Sequence, residues 1–163
     1  MDWDLITNII LIAAIAVLAL FAVLALCQWI KTKSFTKIDP ELRWAAVPII
    51  LMAATYFIFD HLLIWNTRPN GSGEPSFPSS HVMLVATVFA LTAVVIPKYI
   101  KSKTTLIILD FLMLALTALV AVGRVLANMH WVSDVLGALA FAAIFVAIYW
   151  LIIKKLIKGA KHA

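Results

Sequence analysis

The sequence predicts an all-α fold, a polytopic transmembrane helical bundle of about five helices in a single domain over residues 1–163. Three observations predict it. Hydrophobic residues make up 64% of the chain and charged residues 13%, with a mean hydropathy of +1.06, too apolar to clothe a water-exposed surface. The apolar residues gather in runs of bilayer-crossing length, and the lysines fall in alternate connections between those runs.

The first run, Leu5 to Trp29, is preceded by Asp2 and Asp4 rather than lysines and is too long for a signal peptide, so it reads as a retained helix. It holds Cys27, the only cysteine, which excludes an intramolecular disulfide or a cysteine metal cluster. The second span is Trp44 to Trp65. The third, His81 to Ile96, is the shortest because Pro97 ends it. The fourth is Thr104 to Val122, with Asp110 about two turns in, placed for an interhelical hydrogen bond or partial exposure near the inner interface. Trp131 to Ile153 is the fifth. Between the second and third lies a Gly-, Pro- and Ser-rich loop, Asn66 to Ser80, and a short ionisable connection, Gly123 to His130, joins the fourth and fifth.

Charge sets an orientation. Lys31, Lys33, Lys37 and Arg43, then Lys98, Lys101 and Lys103, then Lys154, Lys155, Lys158 and Lys161 share one side, which the positive-inside rule makes cytoplasmic. Trp3, Trp65 and Trp131 mark the outer interface and Trp29, Trp44 and Trp150 the inner one. The expected topology in the plasma membrane is N-terminus out and C-terminus in. The net charge of +5 is therefore loop charge that orients helices, which sets nucleic acid aside as a partner. Of the 13 Lys and Arg, only Arg68 and Arg124 belong to the outer side.

Those two arginines stand among three histidines and a carboxylate: His61, Arg68-Pro69, Pro78-Ser79-Ser80-His81, Gly123-Arg124, His130 and Asp134. Ser79 or Ser80 is placed to N-cap the third helix, whose free N–H groups and dipole attract an anion. Arg68 and Arg124 can each hold two phosphate oxygens. His130 and Asp134, four apart on one helical face, permit the acid to fix the imidazole tautomer and leave the other nitrogen to attack phosphorus. His81 can protonate a leaving oxygen and then accept a proton from water. Taken singly, each residue has a plainer explanation, such as a capping serine or a snorkelling arginine. Their convergence on one membrane face points to phosphoryl transfer.

In these strings the chain resembles the type 2 phosphatidic acid phosphatase family of membrane lipid phosphatases. The family pattern is a Lys six residues before Arg-Pro, then Pro-Ser-Gly-His, then Ser-Arg with a His six residues after the Arg and an Asp four beyond. Residues 61 to 134 keep Arg68-Pro69, Pro78-Ser79-x-His81 and Arg124-x5-His130-x3-Asp134. The resemblance implies His130 as nucleophile, Asp134 as its orienting partner and His81 as general acid and base. It implies that Arg68, Arg124, Ser79 and Ser80 hold the phosphoryl group, with no metal and no cofactor. Ser80 stands for the family's glycine, Gly123 for its serine, and His61 for its lysine; a histidine there carries charge only when an anion holds its proton. Family members commonly have six helices with an outward-facing site, and the first is the one lacking here.

The implied partner is an amphiphile whose tail lies in the bilayer while its phosphate enters the site. Resemblance to bacterial members suggests undecaprenyl pyrophosphate, whose hydrolysis serves cell-wall synthesis. Phosphatidylglycerol phosphate, phosphatidic acid, a lipid phosphotransferase reaction and a non-catalytic lipid-phosphate binder are the alternatives; the last is disfavoured because binding needs no nucleophile. No motif sets an oligomeric state.

Overall fold

The computed structural model describes residues 1–160, so Lys161 of the basic tail lies outside the described residues. Helix α1 (Trp3–Thr32) opens with Asp2, whose side chain accepts from the Leu5 N–H. A short α2 (Pro40–Trp44), started by its proline, leads into α3 (Ala46–Phe57), which continues as a π-helical turn, Ile58–Leu63. Then come α4 (Ser80–Val95), α5 (Lys103–Leu126) and α6 (Val132–Ala160). Five of these segments are long and apolar enough to cross a membrane, and the chain is a multi-pass membrane protein.

The shortest span is the central one. Helix α4 is apolar on every side, as a helix surrounded by others must be, and it packs against α1, α3, α5 and α6. Val82, Met83, Val85, Val88, Leu91 and Val95 are buried along it. The outer helices bury one strip each and leave Leu5, Ile12, Ile107, Phe111, Leu136 and Leu151 exposed, a surface that suits lipid. Where helices meet, small residues permit close approach, as at Ala14, Ala138 and Ala142.

The two ends of the bundle differ. At one end Lys98 pairs with Asp39 at 2.7 Å and Glu41 at 3.0 Å, and the Tyr149 hydroxyl donates to the Glu41 carbonyl at 2.8 Å. All the candidate site residues lie at the other end. A wider apolar groove of about 340 Å³ opens between α4, α5 and α6 at mid-helix, where Asp110 is exposed beside Ala90, Ala93, Ala142 and Ala143.

The expected spans hold with two adjustments that matter for the site. Helix α5 runs a turn past Val122, so Gly123 and Arg124 are helical and buried rather than part of the connection. Helix α6 starts at Val132, so His130 precedes it.

Candidate active site

The loop between the second and third spans is tied to the start of α6, which brings the two separated motifs together. Its turn is narrow: the Arg68 N–H donates to the Glu74 carbonyl at 3.0 Å, and Gly71 and Gly73 adopt φ of +79° and +75°, conformations that favour glycine. The Trp131 indole N–H donates to the Thr67 carbonyl at 2.8 Å, and the Ser79 N–H to the Asp134 carbonyl at 3.2 Å. Below the loop, the Phe77 ring meets Phe59, Trp65 and Phe141.

His130 is 4% exposed, and its Nδ1 lies 2.8 Å from the Ser76 carbonyl oxygen. A carbonyl only accepts, so Nδ1 carries the hydrogen and Nε2 keeps its lone pair. Asp134, fully buried, stands 3.7 Å from the same Nδ1 and uses its oxygens elsewhere: Oδ2 accepts from the Trp131 N–H at 2.9 Å and Oδ1 from the Ser133 hydroxyl at 3.3 Å. The tautomer-fixing bond expected from Asp134 is thus made by Ser76, because the two motif residues do not share a helix. Asp134 caps α6 and places negative charge beside the ring. Burial, followed by the nearby Arg124 charge, lowers the His130 pKa to about 4, so the imidazole is neutral near pH 7.

Arg124 is 3% exposed on α5, with Nη1 2.5 Å from Asp4 Oδ1 and 3.4 Å from Thr7 Oγ1, both on α1. Arg68 pairs with Glu74 at 2.6 Å. Ser79 is the N-cap residue of α4 as expected, yet its hydroxyl makes no capping bond. Ser79 Oγ, Ser76 Oγ, Arg68 Nε and Arg124 Nε are all buried with no hydrogen-bond partner. Arg43 Nε, Trp44 Nε1 and Thr87 Oγ1 are also buried without a partner, so orphaned donors are not peculiar to this end; the four here can be satisfied by water or by an anion. Arg68, Ser76, Ser80 and His130 line a pocket of about 40 Å³, enough at roughly 10–15 Å³ per water-sized group for the three oxygens of a phosphoryl group.

His61 stands apart from this pocket. Its side chain is 55% exposed against the rings of Tyr56 and Phe57, and the pocket wall is Asp60 instead. The looser π-helical winding of Ile58–Leu63 turns side chains off α-helical register, which a reading by fixed spacing does not anticipate. His81 is half-buried at the start of α4, its Nε2 2.9 Å from Asn8 Oδ1 on α1. Asp4, Thr7, Asn8, Ser76 and Glu74 were not identified from the sequence. The signal for the first three is a polar strip at i, i+3 and i+4 on the outer turn of an otherwise apolar helix. Ser76 acts through its backbone carbonyl, which no residue pattern marks.

Gly123 explains one departure from the family pattern. A Cβ there would lie 2.6 Å from Thr7 Cγ2 and 3.4 Å from Trp3 Cε3, because α1 packs directly on it. We expect Gly123→Ser, which restores the family residue, to lower both activity and thermal stability, the latter by about 1–3 kcal/mol. Melting in detergent and phosphate release check this.

Among the described residues, no three His, Cys, Asp or Glu side chains gather as a metal site. Two histidines and two arginines thus lie at one end of a transmembrane bundle, and Arg68 and His130 among them line the small pocket there. The family model of the PAP2 superfamily matches residues 14–158, and the chain belongs to that superfamily. Its members are phosphatases, which supports a phosphatase acting on lipid phosphates. No curated protein and no solved structure matched the chain.

Proposed function

We propose that this protein removes the terminal phosphate of a membrane lipid by transferring it to His130 and then to water. The observation that carries the reading is the set of buried donors without acceptors, Arg68 Nε, Arg124 Nε, Ser76 Oγ and Ser79 Oγ, at the end of the bundle that holds the two histidines. A phosphoryl group supplies the oxygens these donors lack, and their charge stabilises the charge that develops on it during transfer.

The steps follow from the tautomers. His130 Nε2, unprotonated, attacks phosphorus in line; the bond to the lipid oxygen breaks and His81 gives that oxygen a proton. Water then attacks the phosphohistidine, His81 takes a proton from it, and inorganic phosphate leaves. Asp134 stabilises the positive charge that His130 acquires.

The substrate assignment is a polyprenyl pyrophosphate, with undecaprenyl pyrophosphate first and phosphatidylglycerol phosphate and phosphatidic acid next; it rests on resemblance to bacterial members and on a pocket sized for the phosphate alone. The site is assigned to the extracytoplasmic face of the plasma membrane, since the lysine-rich end of the bundle is the opposite one.

His61 receives no direct phosphate contact in this scheme. His61→Ala is expected to leave kcat/KM within about threefold of wild type, the range of a surface substitution. A larger loss, measured on any of these lipids, would return His61 to the site. The function itself is tested by phosphate release from the three lipids in detergent. Release from at least one is expected; no release from any of them, by protein that is folded, would overturn the proposal.

A further inference from the structure

Residues 1–13 lie outside the segment matched to the PAP2 superfamily, yet the first turns of α1 reach both the arginine and the histidine of the site. Asp4 is the hub. Its Oδ1 takes the Arg124 guanidinium at 2.5 Å, and its Oδ2 takes the Asn8 amide Nδ2 at 3.2 Å. Asn8 in turn places Oδ1 2.9 Å from His81 Nε2.

The chemistry of this chain fixes hydrogens that positions alone do not. A carboxylate only accepts, so Asn8 must present its NH₂ to Asp4. Its carbonyl oxygen therefore faces His81, and an amide oxygen also only accepts. His81 Nε2 must then be the donor and carry a hydrogen whether the ring is neutral or protonated. Nδ1 is left as the nitrogen that can change its protonation.

We infer that Asn8, oriented by Asp4, is a positioning residue that holds His81 in the Nε2–H form and assigns proton transfer to Nδ1. On the phosphatase reading above, the ring enters the first step protonated on both nitrogens; its Nδ1–H bond breaks as the leaving oxygen takes the proton, which leaves the neutral Nε2–H form, and Nδ1 takes a proton back from the attacking water. The two site histidines are thus set in opposite senses: a backbone carbonyl holds the His130 hydrogen on Nδ1, and a side-chain carbonyl holds the His81 hydrogen on Nε2. The same carboxylate that orients the amide also holds Arg124, so α1 sets the acid and the clamp together.

The tautomer can be read without any assumption about activity. The chain has only four histidines, so ¹⁵N-imidazole spectra of the detergent-solubilised protein are assignable with a His81→Gln control. Above the ring's titration, wild type is expected to show a protonated Nε2 and an unprotonated Nδ1 at His81, and Asn8→Leu to lose that preference. The reverse tautomer in wild type, or no change in Asn8→Leu, would overturn the inference even if the enzyme is a phosphatase.

A kinetic arm separates positioning from folding. Asn8→Leu is expected to lower kcat on an alkyl phosphate by about 10–100-fold with KM little changed, and on p-nitrophenyl phosphate, whose leaving group needs little acid, by less than about threefold. The ratio of the two rates within one preparation does not depend on how much protein is folded. An equal loss on both substrates would contradict an effect through His81. Wild type that hydrolyses neither substrate nor the membrane lipids would defeat the phosphatase reading and leave the spectroscopic result standing.

Discussion

Alanine at His130 is expected to abolish phosphate release, by on the order of 10⁴-fold or more, because no other side chain replaces a lost nucleophile. Its position is closely held: the ring is 4% exposed, its Nδ1 hydrogen is committed to the Ser76 carbonyl at 2.8 Å, and Nε2 is left with its lone pair. The protonation state suits the role as well. Burial and the Arg124 charge keep the His130 pKa at about 4, below the ordinary 6.5. A protonated ring cannot attack, so activity lost through protonation of the nucleophile should set in as pH falls toward about 4, not at 6.5. The pH profile of kcat/KM reads this directly. Since Ser76 contributes a backbone carbonyl, side-chain substitution at Ser76 should leave the tautomer intact.

Arg124→Gln is expected to lower kcat/KM by about 10²–10³-fold, the effect of removing one group that stabilises transition-state charge. It should also destabilise the protein. The substitution leaves Asp4 without its cation at a position where Thr7 and Gly123 press α1 and α5 together. These two consequences separate in a double variant. Asp4→Asn with Arg124→Gln removes the uncompensated charge, so thermal stability should recover toward wild type while activity stays low, since both the Arg124 cation and the carboxylate that orients Asn8 are gone. Recovery of activity alongside stability would show that Arg124 serves only to hold α1, and that Arg68 alone carries the phosphate charge.

The fold was legible because the bilayer imposes a coarse rule on the sequence. Apolar run lengths located all five spans, including α4, which Pro97 keeps short and which the other helices enclose. Boundaries were less legible. Helix α5 continues through Gly123 and Arg124 because a buried arginine paired with Asp4 can remain in a helix where an unpaired one would mark its end. The motif residues His81, Arg68, Arg124, His130 and Asp134 could be read from spacing, and the bundle brings them to one end.

What spacing concealed was how each is held. Asp134 binds the start of α6, Glu74 takes Arg68, and Asp4 and Asn8 reach Arg124 and His81 from more than 70 residues away in sequence. Such long-range pairings leave no periodic trace. Asp60, and not His61, lines the pocket, where one π-helical turn alters the winding just before the loop. A residue-by-residue carry-over of the lysine position onto His61 has no access to that change.

The central claim is that phosphate passes through His130, and the most direct measurement is to trap it. Protein incubated with a lipid substrate labelled in its terminal phosphate and quenched in alkali should carry label on His130, stable to base and lost in acid, with none on His130→Ala. Steady hydrolysis by wild type with no label on His130, or phosphate release by His130→Ala at a rate near wild type, would contradict it.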